Sequence, residues 1–168
     1  MNAPPKVEIT NVAWRRDPPG SVVEYRVLNR GDRPIWMVDD GWITWRQKGS
    51  AIELSLARGR MSPGSAVFGY FPPEVREIRP GETYSAKLSL DWPLHLDRLW
   101  NEQEEAAPDP GRYDLSLRIG YGETPERGPL LDGDGVEDPI LRWQKESVSD
   151  PYPLEIGEYR PSRKGESQ

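Results

Sequence analysis

The residues that could do chemistry are few. His95 is the only histidine, and the chain has no cysteine. Thiolate nucleophiles, thiolate metal sites and disulfides are therefore excluded. A serine hydrolase built on His95 would need a nucleophile elbow, and no Gly-x-Ser-x-Gly occurs. Glu102, Glu104 and Glu105 offer carboxylates of the kind that serve glycoside hydrolysis, but an acidic run at a surface is equally a solvated face. No catalytic residue is assigned, and the expectation is a protein that is not an enzyme.

Two other clusters point to binding. Asp132, Asp134, Glu137 and Asp138 lie within Leu131-Asp132-Gly133-Asp134-Gly135-Val136-Glu137-Asp138, and hard cations take clustered oxygens. This loop is the candidate Ca²⁺ site. Its opening resembles an EF-hand loop, but Val136 and Glu137 depart from that pattern, so a solvated turn stays open as the alternative. No other cofactor is expected. The second cluster is aromatic. Trp42 and Trp45 are three apart, so in one strand they point to opposite faces, one into the core and one outward. An exposed Trp suits a protein hot spot or stacking on a sugar ring. Arg58 and Arg60 follow closely and could share a rim with them.

The elements that must position these residues are strands. After the turn dipeptide Pro110-Gly111, the residues Tyr113, Leu115, Leu117, Ile119 and Tyr121 alternate with Asp114, Ser116, Arg118 and Gly120. The same period of two marks Val23, Tyr25 and Val27; Ile52, Leu54 and Leu56; and Tyr84, Ala86, Leu88 and Leu90. Val7 and Ile9, then Val12 and Trp14, make a first strand. Leu154 and Ile156 make a last one. Turns are read at Asn29-Arg30-Gly31-Asp32 and Arg79-Pro80-Gly81-Glu82. Asp91 to Pro108 reads as the one helix, because Leu96, Leu99 and Trp100 follow an i, i+3, i+4 pattern. Residues 122 to 139 form a long Gly, Pro and acid-rich loop.

The chain has 168 residues, 16 of them Gly and 18 Pro, with a net charge of −6. One domain over 1–159 and a polar, disordered tail over 160–168 are expected. The acidic balance offers no basic stripe for phosphates, which argues against nucleic acid. No apolar run approaches the ~18 residues of a membrane span. No secretory signal is read at the start, so the cytoplasm is the expected compartment.

The order Val23 to Ile35, Pro80-Gly81-Glu82 and Pro110-Gly111-Arg112-Tyr113 resembles a recurring bacterial immunoglobulin-like layout. It is similar to intracellular proteinase-inhibitor-like domains and to the β-sandwich propieces of some zinc peptidases. The resemblance covers about residues 22 to 121 and implies an all-β fold. That fold would be an Ig-like antiparallel β-sandwich of about seven to nine strands, with the helix in the E–F connection. Tyr113 would make a tyrosine corner, Leu115 would replace a disulfide cysteine, and Trp36 would be the core tryptophan of strand C. The function expected is a protein-interaction module working through loops or a strand edge. A carbohydrate-binding module with a Trp platform and a peptidase inhibitor are the alternatives.

Overall fold

The computed structural model describes residues 6–17, 20–39, 43–58, 74–90, 94–98, 102–106, 108–126 and 143–157. Among them all twelve elements are β-strands: β1 (Val7–Asp17), β2 (Gly20–Asn29), β3 (Ile35–Val38), β4 (Thr44–Lys48), β5 (Ala51–Ser55), β6 (Val75–Ile78), β7 (Thr83–Leu90), β8 (Leu94–Arg98), β9 (Glu102–Ala106), β10 (Gly111–Gly122), β11 (Lys145–Val148) and β12 (Tyr152–Ile156). The all-β expectation holds.

Strands β1, β2 and β7 form one antiparallel sheet. A second sheet is built on β10. Asp114 N donates to Ser50 O, and Leu56 N donates to Arg118 O, so the even residues of β10 turn their backbone polar groups toward β5. The odd residues turn theirs toward β12 and β11. Strand β3 continues beyond β5 on the same side, through Tyr121↔Met37 and Gly122↔Trp36, and β6 pairs with β3. Strand β4 pairs with β5. The core lies between the two sheets. Val7, Ile9, Val23, Tyr25, Val27 and Leu90 come from the first sheet. Ile35, Met37, Ile52, Leu54, Ile78, Leu115, Leu117, Ile119, Leu154 and Ile156 come from the second. Leu115, Leu117 and Ile119 are fully buried, each contributing about 1.5–3 kcal/mol by leaving water.

Several local details have causes in the nearby sequence. Val7 and Ile9 are odd positions, whereas Val12 and Trp14 are even. Asn11, at φ 53°, supplies the extra residue of a β-bulge between Thr10 and Ala13, which keeps both pairs on the core side. In the Arg79–Glu82 turn, Glu82 N donates to Arg79 O, and Gly81 takes the positive φ of 76° that this turn requires after Pro80. The Tyr113 hydroxyl donates to Asp109 O at 2.6 Å, tying the start of β10 to the turn before it.

Four expectations are corrected. Within the expected helix from Asp91 to Pro108, the described residues 94–98 and 102–106 instead form the antiparallel β8–β9 pair, with registers from Leu94↔Ala106 to Arg98↔Glu102. Leu94-His95-Leu96-Asp97 also alternates with a period of two, and cross-strand pairing settled the ambiguity. The second sheet is not wholly antiparallel, since β5 runs parallel to β10 from Asp114↔Ala51 to Arg118↔Ser55. Alternation of side chains carries no information about strand direction. The strand count exceeds nine, partly through that extra pair and partly because the final strand splits at Ser149 into β11 and β12. Finally, Trp36 lies outside the core. Ile35 and Met37, its neighbours, are buried and Trp36 is only half-buried, because one face of a strand excludes the other. The 160–168 tail and most of the 122–139 loop lie outside the described residues.

Candidate binding edge

A sheet edge presents unpaired N–H and C=O groups, and proteins blunt such edges with bulges, proline, charge or shortness. Most exposed edges among the described residues carry one of these devices. The outer edge of β1 is bulged at Asn11 and ends in exposed Arg15, Arg16 and Asp17. Strand β4 is five residues long and carries Arg46 and Lys48. Strand β6 is four residues long and carries Arg76 and Glu77. Strand β11 is four residues long and opens on Lys145 and Glu146. Strand β12 carries Pro153. The odd residues of β10 bond to Tyr152, Leu154 and Ile156, so Pro153 turns its missing N–H to the outer edge.

Strand β7 is different. It is eight residues long, Thr83 to Leu90, with no proline and with Lys87 as its only charge. Its register with β2 is unbroken from Ser21↔Leu90 to Leu28↔Thr83. The direction of its backbone groups follows from the end of the ladder. Asn29 N donates to Glu82 O, so the odd residues of β2 face β7, whereas Arg30 N donates to Lys6 O on the other side. Val23, Tyr25 and Val27 therefore bond Leu88, Ala86 and Tyr84. Thr83, Ser85, Lys87 and Ser89 are left with their N–H and C=O groups directed away from β2. Among the described residues no strand pairs with them.

The side chains follow the same division. Thr83, Ser85, Lys87 and Ser89 are exposed, and Lys87 Nζ lies 3.3 Å from Glu24. Tyr84, Ala86 and Leu88 are half-buried against the core. Beside them lies β6 of the other sheet. The Arg76 guanidinium sits 4.5 Å from the centre of the Tyr84 ring and donates to Asp39 at 2.8 Å. The Arg76 pKa is raised, first by that hydrogen bond and further by Tyr84. Tyr25, opposite Ala86 in the register, has its hydroxyl pKa pushed up by burial and then by Asp39 and Tyr84. Tyr84, Arg76 and Asp39 thus meet beside β7, with Tyr25 buried in the core.

The sequence-derived candidates are placed as follows. Trp45 is a core residue, 8% exposed, so its ring offers no stacking platform. Its buried Nε1 has no hydrogen-bond partner among the described residues. Trp42 and Arg60 lie outside the described residues, as do Asp132, Asp134, Glu137 and Asp138. Among the described residues there is no group of three or more His, Asp or Glu able to hold a metal. His95 falls on β8, opposite Glu105 in the backbone register. Arg58 is held by its backbone: its N–H donates to Gln144 Oε1 at 2.9 Å, and its C=O accepts from Gln144 Nε2 at 3.0 Å. The structure does not bring Arg58 and Trp45 together as a surface rim, because Trp45 is turned inward.

Gln144 and Trp143 lie on a cleared strip of β10. A Cβ at Gly120 would sit 2.0 Å from Gln144 Oε1, and one at Gly122 would sit 2.0 Å from the Trp143 ring. Trp143 Nε1 donates to Thr124 O at 2.8 Å, which fixes the ring. On the same outer face Arg118 joins three strands. It holds Glu53 of β5 with two hydrogen bonds, at 2.9 and 3.1 Å, and Glu146 of β11 at 2.7 Å. Its pKa is raised, chiefly by the bond to Glu53.

Comparison with known proteins finds no match: no family model, no curated protein and no solved structure aligns with this chain. Sequence reasoning assigned Ser85, Lys87 and Ser89 to the outward face of β7 without identifying the strand as an edge. The available signal was eight residues of alternation with neither proline nor more than one charge.

Proposed function

We propose that this chain is a non-enzymatic protein-interaction module of the cytoplasm, which receives an extended segment of a protein partner along β7. The observation that carries this reading is the least guarded edge among the described residues, formed by Thr83, Ser85, Lys87 and Ser89, with one lysine and neither proline nor bulge. A strand added there would bond to their N–H and C=O groups, each net bond worth about 0.5–1.5 kcal/mol. Its alternate side chains would cover half-buried Tyr84, Ala86 and Leu88 and complete that side of the core. The fitting segment has apolar residues at every second position and no proline at the bonded ones. We read the fold itself as Ig-like, with β10 as strand F, β11 and β12 as a split strand G, and β3 as strand C; the Tyr113–Asp109 hydrogen bond supports this.

Peptide display tests the proposal. Peptides selected on the wild type should alternate apolar and polar residues and lose binding to Ser85→Pro. Ser85 spends no N–H on β2, so this proline blocks the edge while leaving the β2–β7 ladder intact. Peptides that bind Ser85→Pro as tightly as the wild type would overturn the assignment of the edge.

A further inference from the structure

We infer that the segment received by β7 is the β7 of a second copy of this chain. This inference rests on the edge reading above and names its occupant. In an antiparallel pair, opposite residues share a face, so the core-side residues of one copy must meet core-side residues of the other. Only registers pairing even with even positions satisfy this. One of them centres Ala86 on Ala86 across a two-fold axis. It sets Thr83 opposite Ser89, Ser85 opposite Lys87, Lys87 opposite Ser85 and Ser89 opposite Thr83. These are the four residues whose backbone groups leave β2. All four therefore form bonded pairs, and no N–H on the edge is wasted.

The side chains agree with this register. On the core side Tyr84 meets the second copy's Leu88 twice, an aromatic–aliphatic pair of the stabilising kind, and small Ala86 lies on the axis. On the outer side Lys87 faces an uncharged serine. Shifting the centre to Lys87 would set two lysines opposite each other. Shifting it to Ser85 would leave Ser89 of each copy unpaired. The edge is thus self-complementary in one register, as a two-fold interface requires. The joined sheet would have six strands, in the order β1-β2-β7-β7-β2-β1.

The test introduces a charge of either sign at position 85, read by sedimentation over a concentration series. The wild type should show a monomer–dimer equilibrium. Ser85→Lys sets lysine against the second copy's Lys87 twice and should weaken the dimer about tenfold or more. Ser85→Glu sets a carboxylate there and should tighten it several-fold. Ser85→Pro should give monomer. Arg26 lies opposite Ser85 within the chain, so the melting temperature of each variant at low concentration is the folding control. A wild type that stays monomeric at all concentrations overturns the self-pairing. If Ser85→Pro still abolishes peptide binding in that case, the edge reading survives; if it does not, both fail. A dimer indifferent to Ser85→Lys and Ser85→Pro also overturns the proposal, because it would use another surface.

Discussion

The side-chain amide of Asn29 donates to the backbone carbonyl of Ile78 at 2.9 Å, joining the end of β2 in one sheet to the end of β6 in the other. Asn29 is fully buried. Its Nδ2 also donates to Arg33 O at 2.8 Å, and its Oδ1 accepts from Gly31 N at 2.9 Å. Every polar atom of the side chain has a partner, as burial requires. The amide closes the Asn29–Arg33 turn and ties both sheets at one corner, close to where the chain crosses from β6 to β7.

Asn29→Ala should cost about 3 kcal/mol, because it leaves the Gly31 N–H and two carbonyls without their partner. Asn29→Asp should also destabilise near neutral pH, because a carboxylate would face the carbonyls of Arg33 and Ile78. Urea unfolding checks both; a loss under 1 kcal/mol would show that water replaces the amide.

Ser149 supplies the missing bond where β11 gives way to β12. Its hydroxyl accepts from Leu117 N at 2.9 Å, and its own N–H donates to Leu117 O at 2.8 Å. Ser149→Ala should destabilise by about 1–3 kcal/mol, the cost of a buried unpaired N–H. Hydrogen exchange at the Leu117 amide should quicken more than at the Leu115 amide.

Gly122→Ala should lower the melting temperature clearly, since its Cβ would collide with the Trp143 ring that the Thr124 carbonyl holds in place. Combining it with Trp143→Ala should recover much of the loss. A double-mutant cycle measures this, and strict additivity would separate the two residues.

Tyr25 predicts an alkaline limit. Its folded pKa is raised above the ordinary 10 by burial, with Asp39 and Tyr84 adding to the effect. The unfolded chain releases this proton near pH 10 while the folded chain keeps it. The stability it contributes is therefore present below pH 10 and declines as pH rises above that. Tyr25→Phe should flatten the fall of melting temperature between about pH 9 and 11. Equal slopes for variant and wild type would assign the fall to other groups.

How far the sequence could be read differs from element to element. The phase change between Ile9 and Val12 was an available signal of the β1 bulge, but the register with β2 was needed to show it. The inward faces of β2, β5, β7 and β10 were legible as alternation. Over Leu94 to Asp97, by contrast, two periods fit the same residues. The continuous apolar run Ile35-Trp36-Met37-Val38 hid which face was core, and the partner strands turned Trp36 outward. Gly120 and Gly122 could have been read as sites of close approach, but the side chains that fill them come from more than twenty residues further on.

The chain by itself determined where it alternates and where it turns, because side-chain direction and turn conformations are properties of a few consecutive residues. It also excluded thiol chemistry through composition alone. Only the tertiary structure decided which strands pair, in what direction, and which edges carry a device against further pairing. Those depend on contacts between distant residues, such as Leu117 with Leu54, and Tyr25 with Ala86. The β7 edge belongs to this second group: its eight residues look like any half-buried strand until β2 takes one side of them.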